Sequence, residues 1–209
     1  MKLLRIDSGA RGHSLSRAVT SGFVEVWKRA YPRGEVIERD LAQSPIPLIT
    51  DEWANANYTP DDQRSPQQHM ELNFSDQLIR ELKQADLIVI GSPMYNFSIT
   101  ASLKAWIDMI VRNGETVDFS QRPPLGLLQD KKVVVVTTRG GSYGKGTATA
   151  SFDFQEPYLR HILGIVGLHD VTFIHVDRQS HGEEIAHQVR KHAIEQIENV
   201  VESLSLAAA

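Results

Sequence analysis

Cysteine is absent from the 209-residue sequence. The chain therefore has no disulfide framework, no thiolate nucleophile and no sulfur ligands for zinc or an iron–sulfur cluster. Long apolar runs are also missing, since none exceeds the four valines at 133–136, whereas a transmembrane helix needs roughly 18 residues. The charged residues Lys2, Arg5 and Asp7 interrupt the start of the chain, which predicts an opening strand rather than a signal peptide.

Neither sign of charge is in large excess, because 22 Lys and Arg face 26 Asp and Glu for a net charge of −4. A nucleic-acid binder normally carries a basic excess or stripe, and this sequence shows neither. The proportions of hydrophobic (41%) and charged (23%) residues exclude a disordered, fibrous or membrane-spanning chain. We therefore expect a soluble, cytoplasmic protein, and the length fits one domain over residues 1–209.

Short apolar runs alternate with longer amphipathic segments, a pattern that predicts βαβ units and a parallel sheet. The predicted strands cover residues 3–6, 35–41, 86–90, 132–137 and 171–176. The predicted helices cover about 16–30, 67–84, 102–111, 154–166 and 183–204. The segment 42–66 contains four prolines and is predicted to lack regular structure. The fold class is thus α/β, a doubly wound sandwich, and for its five strands we expect the order 2-1-3-4-5.

In such sheets, ligands bind beyond the carboxyl ends of the strands, where the strand order reverses. For this order the reversal lies between the first and third strands. The loops at 8–17, 91–98 and 138–146 follow the first, third and fourth strands and meet that edge. We therefore expect a ligand site among these three loops.

The first loop suits a phosphate group. It leads into a predicted helix, whose N-terminus offers backbone N–H groups and the positive end of a dipole. Ser8, Ser14 and Ser16 add hydroxyl donors. The loop lacks both the Gly-Lys-Ser/Thr ending of a triphosphate-binding loop and the G-x-G-x-x-G dinucleotide fingerprint. The alternative is that Ser14 or Ser16 is only a helix N-cap.

The second loop carries Met94, Tyr95, Asn96 and Phe97, whereas turns favour small polar residues. Such side chains offer apolar surface and directed hydrogen bonds to a flat aromatic ligand. The alternative is that Tyr95 and Phe97 close the core between helices.

The third loop contains two consecutive glycines after Arg139. Glycines let backbone N–H groups approach a ligand closely, or they form only a flexible turn. Arg139 could pair with an anion or lie solvated at the surface. Together the three loops describe a phosphate pocket beside a slot for a planar heterocycle, which is a mononucleotide site. Flavin fits better than purine, because triphosphate-binding machinery is missing.

The sequence resembles the FMN-dependent NADH-azoreductases, which belong to the flavodoxin-like quinone reductases, over residues from 3 to about 201. The most specific string is Pro93-Met94-Tyr95-Asn96-Phe97. The other matching segments are Ser8 with Ser14-Leu15-Ser16, Arg39-Asp40-Leu41 before Pro45-Ile46-Pro47, Thr138-Arg139-Gly140-Gly141, and Pro157-Tyr158-Leu159 before Leu163-Gly164. The resemblance implies a flavodoxin-like three-layer sandwich and a single FMN-binding domain over residues 1–209.

The resemblance further implies a homodimer with one non-covalent FMN per subunit at the interface. NADH would be the cosubstrate, and quinones or azo compounds would accept two electrons in a ping-pong cycle. The implied contacts are Ser8, Ser14, Leu15 and Ser16 to the phosphate and ribityl chain, Met94, Tyr95, Asn96 and Phe97 to the isoalloxazine, and Thr138, Arg139, Gly140 and Gly141 to its pyrimidine edge.

A partner subunit would add Phe119 and Ile162 to the substrate pocket. Tyr143 stands where some relatives carry a His and is the candidate donor near the flavin, and the substitution leaves that role open. Metal, nucleic acid and membrane insertion are not expected. Because cysteine is absent, iron–sulfur flavoproteins and thiol–flavin reductases are excluded, and flavin alone would store the electrons.

Two other functions remain to be weighed. The first is a flavodoxin-like electron carrier without its own NADH-dependent activity. The second is a metal hydrolase that uses histidines, but the sequence has no H-E-x-x-H pattern. His181, His187 and His192 are therefore interpreted as an exposed helix face.

Overall fold

The computed structural model describes residues 1–207. Its strands are β1 (Lys2–Asp7), β2 (Glu35–Asp40), β3 (Leu87–Pro93), β4 (Val117–Asp118), β5 (Leu125–Gly126), β6 (Lys132–Thr138) and β7 (Asp170–Val176). Five of them form one parallel sheet in the order β2-β1-β3-β6-β7, and β4 pairs with β5 in a small antiparallel sheet. This is the predicted order 2-1-3-4-5, so the predicted α/β class and topology are confirmed.

Six α-helices flank the sheet: α1 (Leu15–Ala30), α2 (Asp51–Tyr58), α3 (Pro66–Gln84), α4 (Ala101–Ile110), α5 (Glu156–Ile165) and α6 (Glu183–Ala207). Side chains of α1 and α6 pack in one core cluster, and those of α2 to α5 pack in the other. Every residue of β3 is buried, because helices cover both faces of the sheet. In residues 1–207, no helix is both long and apolar enough to cross a bilayer.

The prediction that residues 42–66 lack regular structure is wrong, because this segment contains α2 and a 3₁₀ turn at Asp61–Gln63. Its prolines do not interrupt these elements: two precede α2, Pro60 follows it, and Pro66 is the first residue of α3, where its missing N–H costs nothing. The Thr50 hydroxyl caps α2 by accepting from the Trp53 N–H at 3.2 Å, and the Trp53 side chain is buried in the core.

Candidate functional site

The three loops meet around one cavity at the carboxyl ends of β1, β3 and β6. Its volume is about 320 Å³. The lining residues come from all three loops and from the segment after β7: Arg11, His13, Ser14, Leu15, Pro93, Met94, Tyr95, Thr138, Arg139, Gly140 and Gln179. The sheet topology thus brings together segments that are more than 120 residues apart in sequence.

Hydrogen bonds tie the three loops to one another. Ser8 donates to the Gly91 carbonyl through its N–H at 3.0 Å and through its hydroxyl at 2.8 Å, which joins the first loop to the second. The Met94 N–H donates to the Thr138 carbonyl at 2.9 Å, which joins the second loop to the third. Movement of one loop would therefore distort the hydrogen bonds that join it to the neighbouring loops.

The start of α1 lacks a side-chain cap. Ser14 occupies the N-cap position, but its hydroxyl bonds the Ser16 hydroxyl at 2.8 Å instead of a backbone N–H of the helix. By contrast, Thr50, Ser65 and Thr100 each accept from the N–H three residues on. The alternative that Ser14 or Ser16 is only an N-cap is therefore wrong. The first-turn N–H groups of α1 lie beside the cavity with no side chain capping them, which suits an anion.

Two basic side chains of the first loop, Arg11 and His13, are exposed and line the cavity. Arg17 instead contacts the Asp40 carboxylate and donates to the Gly9 carbonyl at 3.3 Å. Burial favours a higher pKa for Asp40, but hydrogen bonds from Arg17 and nearby backbone N–H groups outweigh it and lower that pKa. Arg17 therefore holds the loop to the sheet, and Arg11 supplies positive charge at the cavity.

The second loop turns tightly at Tyr95–Ser98, where each of these two residues donates its N–H to the other's carbonyl at 3.0 and 3.1 Å. Both central residues are left-handed, with φ of 48° at Asn96 and 69° at Phe97. That conformation is a genuine outlier for a bulky residue, and such strain concentrates at functional sites.

The turn keeps its aromatic rings accessible, with Tyr95 40% and Phe97 47% exposed. The alternative that these rings close the core is therefore wrong. Met94 and Tyr95 line the cavity, whereas Phe97 packs against Tyr143 and Phe152 at centroid distances of 6.2 and 5.7 Å.

Arg139 is not solvated, since only 2% of it is exposed. Its Nη1 lies 3.2 Å from Asp153 Oδ2, and its Nε lies 3.0 Å from Gln155 Oε1 and 3.8 Å from Asp177 Oδ1. Of the two alternatives for Arg139, the solvated position is wrong and pairing with an anion is confirmed, and the anions beside its guanidinium are the protein's own carboxylates. Buried charges are normally compensated in this way.

Tyr143 lies over the glycines of the third loop. A Cβ added at Gly141 would lie 3.1 Å from the Tyr143 hydroxyl, and the ring of Tyr143 meets Phe97 edge to face. Phe119 is exposed near β4, and Ile162 packs partly against the core from α5. Neither Phe119 nor Ile162 is among the described residues that line the cavity.

The structure also shows where the histidines weighed above as metal ligands lie. Within residues 1–207, no group of three or more His, Cys, Asp or Glu could hold a metal ion, and His181, His187 and His192 are exposed. Thr137, His175 and Glu156 do form a row, in which the Thr137 hydroxyl hydrogen-bonds His175 Nδ1 at 2.7 Å and His175 Nε2 lies 3.0 Å from Glu156 Oε2. Thr137 is fully buried, so a substrate cannot reach its hydroxyl, and the row is structural.

This row predicts a pH effect on stability. Burial and then the charge of Arg139 lower the pKa of His175 below 6.5, against the opposing effects of Glu156, Asp177 and Asp153. The folded state therefore binds fewer protons than the unfolded state, and stability falls as pH drops through 6.5 toward the folded pKa.

The His175→Gln variant lacks this penalty. As the pH is lowered from about 8 to about 5, the Tm of the variant should therefore increase relative to the Tm of the wild type. Thermal melts of both proteins across that range measure the difference. A difference in Tm that stays constant with pH would contradict the assignment.

Sequence reasoning missed the segment that joins the second and third loops, 153–155. The role of Asp153 could have been predicted, because an Asp shortly before a Pro in the first turn of a helix, here Pro157, is a helix-start signal. In the structure, Asp153 Oδ1 accepts from the N–H groups of Gln155 and Glu156. Gln155 carries no such signal, because its side chain acts on Ser92, 63 positions away in the chain.

Comparisons with known proteins agree with this architecture. A family profile described as a flavodoxin-like fold matches residues 1–201. The chain is 46% identical over 204 residues to an "FMN-dependent NADH:quinone oxidoreductase 1" of Trichormus variabilis, covering 97% of each. It is 47% identical over 184 residues to an "FMN-dependent NADH:quinone oxidoreductase" of Herminiimonas arsenicoxydans, covering 88% of this chain and 90% of the relative.

A solved FMN-dependent NADH-azoreductase from Bacillus anthracis in complex with FMN superposes with a TM-score of 0.86. The match covers 98% of this chain and 100% of the azoreductase chain, at 20% sequence identity. An identity this low shows a shared fold, while the sequence relatives carry the information about activity.

Proposed function

The chain belongs to the family of the flavodoxin-like fold, and from that premise we propose that it is an FMN-dependent NADH:quinone oxidoreductase that also reduces azo compounds. The observation that carries this proposal is the single cavity at the reversal of strand order, bounded by the uncapped start of α1 and by accessible aromatic side chains. Open α/β sheets bind mononucleotides at this position.

The first loop fits the phosphate and ribityl chain of FMN. The N–H groups at the start of α1 would bind phosphate oxygens, and the guanidinium of Arg11 would complement the charge. Ser14 and Leu15 line the cavity directly. Ser8 and Ser16 are buried and shape the loop beneath them, so we assign them a supporting part in the site.

The second and third loops fit the isoalloxazine ring. When bound, FMN supplies a carrier that takes two electrons from NADH and gives them to an acceptor. The side chains of Met94, Tyr95, Asn96 and Phe97 offer apolar surface and hydrogen bonds to the ring. The backbone of Thr138 to Gly141 would contact its pyrimidine edge, where N–H groups stabilise negative charge.

Tyr143 is the candidate donor on this side of the cavity, because its hydroxyl lies over Gly141. NADH and the acceptor would share the one cavity and occupy it in turn, which is the basis of a ping-pong order.

We assign the whole of residues 1–209 to one FMN-binding domain that acts as a homodimer. The support for a dimer is exposed apolar surface: Phe152 and Phe154 lie beside the aromatic turn, Phe119 lies near β4, and each is at least 41% exposed. A partner subunit would cover it and bring Phe119 and Ile162 toward the substrate. We also assign the protein to the cytoplasm, because NADH is a cytoplasmic cosubstrate.

An electron carrier without its own reductase activity is not favoured, because the sequence relatives are named as NADH:quinone oxidoreductases. The test is an absorbance spectrum of the purified protein with FMN, followed by anaerobic NADH. We expect flavin bands that NADH bleaches and that a quinone then restores. A protein that binds no FMN contradicts the proposal, and bands that NADH leaves unchanged favour the carrier.

A further inference from the structure

The short segment 153–155 sits between the two loops assigned to the flavin ring and contacts both. The Phe154 N–H donates to the Phe97 carbonyl at 3.0 Å, and the Ser98 hydroxyl donates to the Phe154 carbonyl at 3.3 Å. Asp153 pairs with Arg139, directly before the glycines of the third loop. The segment therefore contacts the aromatic turn through its backbone and the third loop through a side chain.

Gln155 links the same two loops from beneath, at 0% exposure. Its Oε1 accepts from Arg139 Nε at 3.0 Å, and its Nε2 donates to the Ser92 carbonyl at 2.9 Å and to the Ser92 hydroxyl at 3.1 Å. Ser92 lies at the end of β3, two residues before Met94. One amide group thus joins the base of the aromatic turn to the base of the third loop.

The third loop is held from its other side by the residues after β7. The N–H groups of Arg178 and Ser180 donate to the carbonyls of Gly141 and Gly140 at 2.9 and 3.1 Å. The Tyr143 N–H donates to the Asp177 carboxylate. These bonds fix the peptide orientation of the glycines from the side of β7, and the contacts through Gln155 act from the side of the aromatic turn.

The polar cluster around Arg139 leaves two buried atoms without hydrogen-bond partners among the described residues, Arg139 Nη2 and Asp177 Oδ1. Burial raises the pKa of Asp177 although Arg139 favours its charged form. Apolar side chains of similar volume are often at least as stabilising as buried ion pairs, and unsatisfied buried groups call for another explanation.

We propose that Gln155 is a positioning residue that sets the spacing between the aromatic turn and the glycine loop, and with it the fit of the flavin ring. The proposal rests on the function proposed above and assigns it a residue outside the cavity wall. Gln155 acts through Ser92 and Arg139 and has no need to touch the flavin.

The test compares Gln155→Met, which removes all three hydrogen bonds at similar volume, with Gln155→Glu, which keeps only the acceptor toward Arg139. The matched control is Ser75→Ala, because the Ser75 hydroxyl is equally buried, donates to Met109 O at 2.6 Å and accepts from Arg112 at 3.1 Å, between α3 and the end of α4. For each full-length protein, FMN affinity is measured by quenching of flavin fluorescence, together with the visible spectrum of bound FMN and the Tm.

We expect Gln155→Met to bind FMN about tenfold more weakly and to give an altered flavin spectrum. A tenfold loss of affinity corresponds to the net free energy of about one buried hydrogen bond. The FMN affinity of Gln155→Glu should lie between that of Gln155→Met and that of the wild type. Ser75→Ala should have a lower Tm than the wild type but the same FMN affinity and the same flavin spectrum. Equal losses of affinity in Ser75→Ala and Gln155→Met, or wild-type affinity in Gln155→Met, would overturn the proposal.

Ser92→Ala provides a second route if Gln155→Met fails to fold, because it removes one of the two acceptors for Gln155 Nε2. Weaker FMN binding by a folded Ser92→Ala supports the positioning role, and unchanged affinity and spectrum contradict it. A wild-type protein that binds no FMN would instead contradict the proposed function itself, so the two failures are distinguishable.

Discussion

Replacing Gly9 by alanine should weaken FMN binding by roughly 100-fold while the chain stays folded. A Cβ at this position would lie 2.4 Å from the Ser14 hydroxyl oxygen and 2.8 Å from Ser14 Cβ. Contacts this short force the Ser14 side chain or the loop to move. Because Ser14 stands at the uncapped start of α1, that movement disturbs the N–H groups assigned to the phosphate.

The matched control is Gly12→Ala in the same stretch of chain. A Cβ at Gly12 would have open space around it, with no atom of the described residues within 4 Å. FMN titrations of the two variants, with Tm measured alongside, separate a steric effect from the general cost of changing a glycine. Equal FMN affinities for both variants would show that the spacing between Gly9 and Ser14 does not govern phosphate binding.

The positions of the main strands could be predicted because they depend on local pattern. The continuous apolar character of residues 87–90 already marks a strand covered on both faces, and β3 is the central strand of the sheet. Parallel strands align their carboxyl ends at one edge, so the convergence of the three loops follows once the order is known. What the loops bind is inferred from their composition.

The remaining features depend on contacts that sequence periodicity does not encode. Arg139 could be expected at the surface from its type alone, but Asp153 and Asp177 approach it from two other segments and allow its burial. The left-handed pair at Asn96 and Phe97 contradicts residue preference, since Phe rarely takes a positive φ. Conflicts between local preference and observed structure are expected where a site imposes its own geometry.

The largest loss of stability should come from Arg139→Met. The variant would leave Asp153 and Asp177 without their buried cation, and breaking such a pair costs about 3–5 kcal/mol. For a chain of this size, that loss corresponds to a drop in Tm of roughly 10 °C. Urea or thermal unfolding of the variant beside the wild type at neutral pH measures it.

The control for this substitution is Arg160→Met, on α5. The Arg160 side chain is 50% exposed, pairs with Glu156 and lies 4.3 Å from the ring centroid of Phe173. Water screens this pair, so its loss should cost about 1 kcal/mol or less. Similar losses of unfolding free energy for the two arginine variants would mean that the carboxylates around Arg139 are not held as charged groups.

The cause of the loss can be tested through Asp177. Burial raises the pKa of this carboxyl, and removal of Arg139, which lowers it, should raise it further. A carboxyl with a raised folded pKa binds more protons in the folded state, so its penalty is full at high pH and fades as pH falls through that pKa. The stability gap between Arg139→Met and the wild type should therefore narrow from about pH 7 to about pH 5, and adding Asp177→Asn should narrow it at neutral pH. A gap independent of both changes would point to lost packing of the arginine stem instead of an uncompensated charge.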